Sequence, residues 1–204
     1  MEKFHNLPLE KQRTIINAAL DAFGTNGYKK TSVNDIANAA GISKAMVFHY
    51  FGTKKDLYFY LLNFCSNIVM EEIKNKFDNT ITDFFERITM ATTIKVAVIK
   101  KYPATLTFLY SVYYETNDEV IEGLASMMSQ GETFRTNIVF EGMDYSKFKD
   151  GVDVKLVMKM LMWMSEGFIN PSKSLQVEDL DTISNDFHES LNLLKNNLYK
   201  EQYL

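Results

Sequence analysis

Chain breakers and reactive groups are scarce in this sequence. Its 204 residues include three prolines, nine glycines, one cysteine and three histidines. So few breakers exclude collagen-like repeats and turn-rich β-sandwiches, and 46% apolar residues exclude a disordered chain. The lone Cys65 excludes an internal disulfide. The opening Met1-Glu2-Lys3-Phe4-His5 lacks the apolar core of a secretion signal, so a cytoplasmic location is expected. The longest unbroken apolar run, Leu57 to Leu62, is six residues. A bilayer span needs about 20, so no membrane partner is expected. Catalytic signatures are missing too. His5, His49 and His188 lie far apart, with no metal-ligand spacing. There is no paired-cysteine site, glycine-rich phosphate loop or nucleophile elbow. Cys65 lies in an apolar stretch, as a packing residue does, and Glu71-Glu72 read as solvated helix surface. Neither catalysis, a metal nor another cofactor is expected.

The net charge of −4 argues at first against a nucleic-acid partner, but the two signs are unevenly spread. Residues 1–60 carry eight Lys/Arg and five acids, a balance of +3; the remainder carries −7. A basic head on an acidic body suits a head that meets phosphate and a body that does not.

Helical periodicity runs through the whole chain, with no alternating strand pattern, repeat or low-complexity tract. Leu9, Ile15, Ile16, Ala19, Leu20 and Phe23 form a stripe over 9–26 that ends at Asn26-Gly27. Ser32, with Asp35 three residues on, caps a short helix; Ser43 caps another, through Tyr50. Thr53 with Asp56 opens a long helix from about Lys54 into the seventies. Further helices are expected near 81–101, 103–116, 118–141, 153–169 and 177–202. Asn79-Thr80, Pro103, Asn117, Gly142 to Gly151 and Asn170-Pro171-Ser172 separate them. The fold class is all-α: a three-helix head over 1–52 and a larger helical body over 53–204.

Within the head, Ile36, Ala40, Ile42 and Val47 can pin two short helices at a steep angle. Ala37 is small where they approach, and Gly41 suits the tight turn between them. An ordinary αα-corner has the same ingredients. The face left over is less ordinary. Lys44, Ala45, Met46, Phe48 and His49 point outward once the pins are assigned. In a major groove, Met and Phe can meet thymine methyls, while Lys44 reaches a guanine edge or a phosphate. Tyr50, Lys54 and Lys55 follow as phosphate-type donors, and the helix start at Thr53 offers N–H groups to an anion. Phe48 and Tyr50 have a second use, packing against the long helix that follows.

The series Ile15, Ala18-Ala19, Phe23, Gly27-Tyr28, Thr31-Ser32-Val33, Ile36-Ala37, Ala40-Gly41-Ile42-Ser43-Lys44, Phe48, Tyr50-Phe51, Lys54 and Leu57 resembles the N-terminal domain of TetR-type transcriptional regulators. The resemblance covers about residues 9–60. It implies a dimeric repressor that binds a palindromic operator in double-stranded DNA and releases it when a small ligand enters the body. It puts Lys44, Ala45 and Met46 at base-reading positions. Phe48, Tyr50 and Lys54 fall on the DNA backbone, and Ser32 and Ser43 where helix starts meet phosphate. Position 48 is usually Tyr in that family, and Phe48 cannot make the phosphate bond. Tyr50 and Lys54 are therefore the expected backbone donors.

The body gives architecture but no ligand identity. Leu180, Ile183, Phe187, Leu191, Leu194 and Leu198 form a near-heptad seam. Leu156, Val157, Met160, Leu161, Met164 and Phe168 line the helix before it. In TetR-type proteins two such helices per subunit form the dimer seam, and Leu156, Met160, Met164, Ile183, Phe187, Leu191 and Leu194 are the candidates; packing within the monomer is the alternative. Ile94, Val98, Tyr102, Tyr110, Tyr113, Met127, Phe134 and Trp163 are candidates for an effector chamber, drawn from a larger set that includes core. Adaptable Met and fixed Tyr hydroxyls suit an apolar or amphipathic, lipid-like ligand. Glu115, Asp118, Glu119 and Glu122 read as a solvated face unless one turns inward toward a cation. The expected switch is mechanical: ligand shifts the helix at 81–101 or 103–116, which leans on the 54–76 helix and so tilts the head. The rival reading is a helical interaction or scaffold protein that keeps the head fold without specific DNA binding. With no Arg on the recognition helix and Lys44 its only strong guanine donor, operator half-sites should lean toward A·T. Selection from random duplexes checks this; G·C at most contacted positions would refute it.

Overall fold

A computed structural model describes residues 2–167 and 178–204. Phe168, the Asn170-Pro171-Ser172 separator and the helix ends expected at 169 and 177 lie outside the described residues. The described residues form ten α-helices and no strand. They are α1 (Glu2–His5), α2 (Leu9–Lys30), α3 (Val33–Ala39), α4 (Lys44–Phe51), α5 (Lys54–Lys76), α6 (Phe84–Lys101), α7 (Ala104–Tyr113), α8 (Ile121–Phe140), α9 (Val154–Gly167) and α10 (Asp179–Leu198). None of these helices is long and apolar enough to cross a membrane.

The chain packs into two compact units. The first joins residues 1–68 to 102–129; the second joins 69–101 to 130–204. The boundary read from the sequence after residue 52 is therefore not a packing boundary. The reason is burial. Phe23, Tyr28 and Tyr58 cannot be covered by the head's own short helices, and Phe108 of α7 completes their cluster at ring distances of 5.0–6.4 Å. Gly24 permits the approach. A Cβ there would lie 2.9 Å from the Phe108 backbone nitrogen, closer than real Cβ atoms come. Glu115 then fastens the end of α2, accepting the Tyr28 N–H at 2.8 Å and the Asn117 N–H at 2.9 Å. Of the four acids left open as a solvated face or a cation site, Glu115 does neither: it holds backbone.

The second unit buries Phe84, Phe85, Phe148, Leu191 and Tyr199 around one core. Two charged side chains support it. Arg87, 1% exposed, donates from Nε and Nη2 to the Ile138 carbonyl (3.0 and 2.7 Å) and from Nη1 to that of Ile81. Asp83 accepts the Glu86 N–H at 3.1 Å and pairs with Lys147 and Lys195, both at 3.2 Å. Burial would raise its pKa, but those partners together hold the carboxyl below its usual range.

The α2–α7 approach makes a prediction of opposite signs. Gly24→Ala should lower the Tm, because backbone atoms must move by tenths of an ångström; such overpacking costs about 1–3 kcal/mol. Gly131→Ala, on open α8 surface, should raise it through helix propensity, worth about 1 kcal/mol. Thermal melts followed by circular dichroism check both.

Candidate nucleic-acid interface

The turn between α3 and α4 is tight because of Gly41. Its φ of 63° is disfavoured for other residues, and no Cβ is needed there to pack. Ile42 N–H then donates to the Ala37 carbonyl at 3.0 Å and closes the corner. Ile36, Ala37, Ala40 and Val47 are buried and Ile42 is half-buried, so the pins hold as expected. Ser32 and Ser43 cap their helices, accepting the N–H groups of Asn34 and Met46, each at 3.2 Å. Each hydroxyl keeps its own proton, which a phosphate oxygen can accept.

With Val47 inward, Lys44, Ala45, Phe48 and His49 are exposed, and Met46 is half-buried against the head core. Lys44 Nζ lies 5.9 Å from the Phe48 ring centroid, so cation and ring form one strip along α4. Phe48 is 39% exposed, and the alternative of packing on α5 leaves its outer face uncovered.

Three features of the sequence reading need correction. Tyr50 is a core residue, 6% exposed, with rings of Phe4 and Phe51 at 6.0 and 6.3 Å. It falls on the inward side of α4, three residues after Val47, and its packing use prevails. Lys54 also turns in: Nζ donates to the Lys29 carbonyl at 3.3 Å and lies 4.6 Å from the Tyr28 ring centroid. Burial pushes its ammonium down, against the pull of Glu119 and Glu115. The start of α5 is already occupied, since Asp56 accepts the Thr53 N–H at 2.9 Å and the Thr53 hydroxyl at 2.6 Å. Those bonds hold the Asp56 carboxyl below its usual range. Lys55, beside them, stays exposed.

Sequence reasoning missed α1. Its Phe4 is fully buried against Phe51 (4.7 Å) and Tyr60 (5.6 Å), backing the recognition helix from behind. Gln12 ties the segment down by donating to the carbonyls of His5 and Leu7. One aromatic among polar residues carries no periodic signal, so only packing reveals it.

The body residues fall less neatly. In the first unit Tyr102, Tyr110 and Met127 are half-buried, while Tyr113 is 40% exposed and stacks edge-on with Tyr114 at 5.1 Å. In the second unit, Ile94 and Phe134 meet in one cluster with Ile73 and Phe77, and Val98 is buried nearby on α6. Trp163 does not line an interior. It is 55% exposed, on the same face of α9 as Leu156 and Met160, four and three residues apart. Of the residues assigned to the seam, Phe187 and Leu191 face their own unit's core, because α10 must cover Phe85 and Tyr199. Met164, Ile183 and Leu194 are half-buried. Leu193, outside the heptad stripe, is 65% exposed. Cys65 is buried, which pushes its thiol up to about 12 and leaves no thiolate for chemistry.

Residues 15–61 match the family described as bacterial regulatory proteins, tetR family. Over 161 residues the chain is 26% identical to the fatty acid metabolism regulator protein of Bacillus subtilis, covering 74% of this chain and 77% of that one. Similarity to the regulator RutR of Escherichia coli is 36% over 64 residues, only 30% of that protein's length. The fold is that of the Bacillus subtilis regulator FadR solved with stearoyl-CoA, with a TM-score of 0.66 at 21% identity over 88% of this chain and 96% of that one. The chain belongs to the TetR family, and it is a transcriptional regulator, not an enzyme.

The strip on α4 predicts a split between two neighbouring substitutions. Lys44→Ala should weaken specific DNA binding by roughly 1–3 kcal/mol if it reads a base. Tyr50→Phe, which keeps the buried ring, should leave affinity within about twofold and so separates a packing role from a phosphate bond. Fluorescence anisotropy on the selected operator measures both.

Proposed function

We propose that this protein is a homodimeric, ligand-responsive repressor that binds a palindromic operator and is released by a small amphipathic effector of fatty-acyl character. The observation that carries it is the exposed Lys44–Phe48 strip on a short helix pinned from behind by Phe4, Val47 and Phe51. A rigid helix with two cap serines and an uncovered aromatic suits a major groove. Residues Ser32, Ser43, Lys44, Ala45, Met46, Phe48 and His49 make the interface, with Lys55 joining them in place of Tyr50 and Lys54.

Dimerisation is supported by the stripe of Leu156, Met160 and Trp163 on α9 and by Leu193 on α10, large apolar groups left open in the single chain. Two copies joined there would set recognition helices about 34–36 Å apart on successive major-groove faces. The effector class rests on the regulators of fatty acid metabolism among the relatives and on the apolar cluster of Ile73, Phe77, Ile94 and Phe134. The route of the switch differs from the one expected through the long helix alone. A shift of α7 reaches α2 directly, through Gly24, Phe108 and Glu115. The effector must bind the released and DNA-bound forms unequally, or nothing moves.

Titration of DNA from upstream of the protein's own gene, against a shuffled fragment and at several salt concentrations, tests the reading. An autoregulator favours the native fragment by roughly 10³-fold or more. Stearoyl-CoA should then reduce that affinity. Binding to neither fragment at low salt would give the scaffold reading the field.

A further inference from the structure

Two cations in the second unit have no acid to answer them. Lys95 lies on α6 and Arg135 on α8, each one residue beyond a member of the same apolar cluster, Ile94 and Phe134. They are close enough that the Arg135 guanidinium disfavours the charge on Lys95. Neither enters an ion pair among the described residues, although other cations in this unit do. Lys100, on the same helix, pairs with Asp181, and Lys76 pairs with Glu72 at 2.7 Å. Acids are in surplus, 26 against 22 bases, so their absence here is not a matter of supply.

The setting of Lys95 is also unusual. Protein encloses it on all sides, and burial pushes its ammonium down; yet its side chain keeps open surface. A residue packed into a core has no open surface, and one on an outer face is not desolvated. The combination describes a side chain that borders an interior space. Like charges held together in such a setting repel, and a counter-charge is what removes the penalty.

We infer that Lys95 and Arg135 form the anion-recognising end of the effector site, taking the charged head of an amphipathic ligand whose chain lies against Ile94, Phe134, Ile73 and Phe77. This deepens the effector reading given above and rests on it. A carboxylate and a phosphate supply the same anionic oxygens, and an Arg fork with a Lys point charge accepts either. The two sources are a free fatty acid and a coenzyme A thioester.

Calorimetric titration of the whole protein with laurate, lauroyl-CoA and uncharged methyl laurate separates them. The wild type should bind at least one of the anions ten times or more tighter than the ester. Lys95→Met and Arg135→Met, which keep chain length and remove charge, should each weaken that anion about tenfold, leave the ester unchanged and preserve operator binding. Each should also raise the Tm of the ligand-free protein, because repulsion is relieved. Whichever anion loses affinity names the head group. Equal wild-type affinity for ester and anions overturns the charge pair while leaving an apolar effector site standing. Equal weakening of ester and anion in the variants overturns it too, as a packing effect. A wild type that binds operator but none of the three probes overturns both this assignment and the fatty-acyl effector.

Discussion

The seating of α7 on α2 is the contact on which the rest of the first unit depends. The head's helices are too short to cover Phe23, Tyr28 and Tyr58, and the missing wall is Phe108. That wall can come close only because residue 24 has no side chain. Once α7 is in place, Glu115 reaches the end of α2 and takes the Tyr28 N–H, so the corner leading to α3 is fixed from outside the head. The recognition helix therefore inherits its position from a segment some 60 residues beyond it. A regulator built this way needs no separate relay between head and α7, since the two share one core.

Charge in the protein is divided between holding structure and facing outward. Lys54 and Glu115 sit in the same neighbourhood, each bound to backbone at the end of α2, and neither is available to a partner. Asp56 fills the helix start that an anion would otherwise use. The cost of burying these groups is offset by hydrogen bonds to the charged form, which is the condition under which buried charge is tolerated. Asp83 and Arg87 follow the same rule in the second unit, where backbone N–H and carbonyl groups complete their shells. Lys44 and Lys55, by contrast, have open surroundings and point away from the core. Lys95 and Arg135 obey neither pattern, which is why they stand out.

Much was legible in the sequence. The helical periods placed α2 to α10 to within a few residues, since apolar spacing and caps are local properties. Ser43, Gly41 and the Ile36, Ala40 and Val47 pins defined the corner for the same reason: each acts on residues three to five positions away. The inward turns of Tyr50 and Lys54 were not legible. Both follow from partners distant in sequence, Phe4 for one and Lys29 for the other. The α10 heptad was visible, but period alone gives a stripe and not what covers it. Phe187 and Leu191 were claimed by their own unit, while Leu193 was left open.

By itself the sequence determined an all-α chain, a helix-turn-helix head and the outward Lys44, Phe48 and His49, because amphipathic spacing and capping act over one or two helical turns. Tertiary structure alone decided which polar groups were used internally and which remained for partners. It closed the head with α7, buried Tyr50, turned Lys54 onto Lys29, and left Lys95 beside Arg135 with no acid between them. Burial and pairing are properties of what packs against a side chain, and those neighbours come from helices that the chain brings together only on folding.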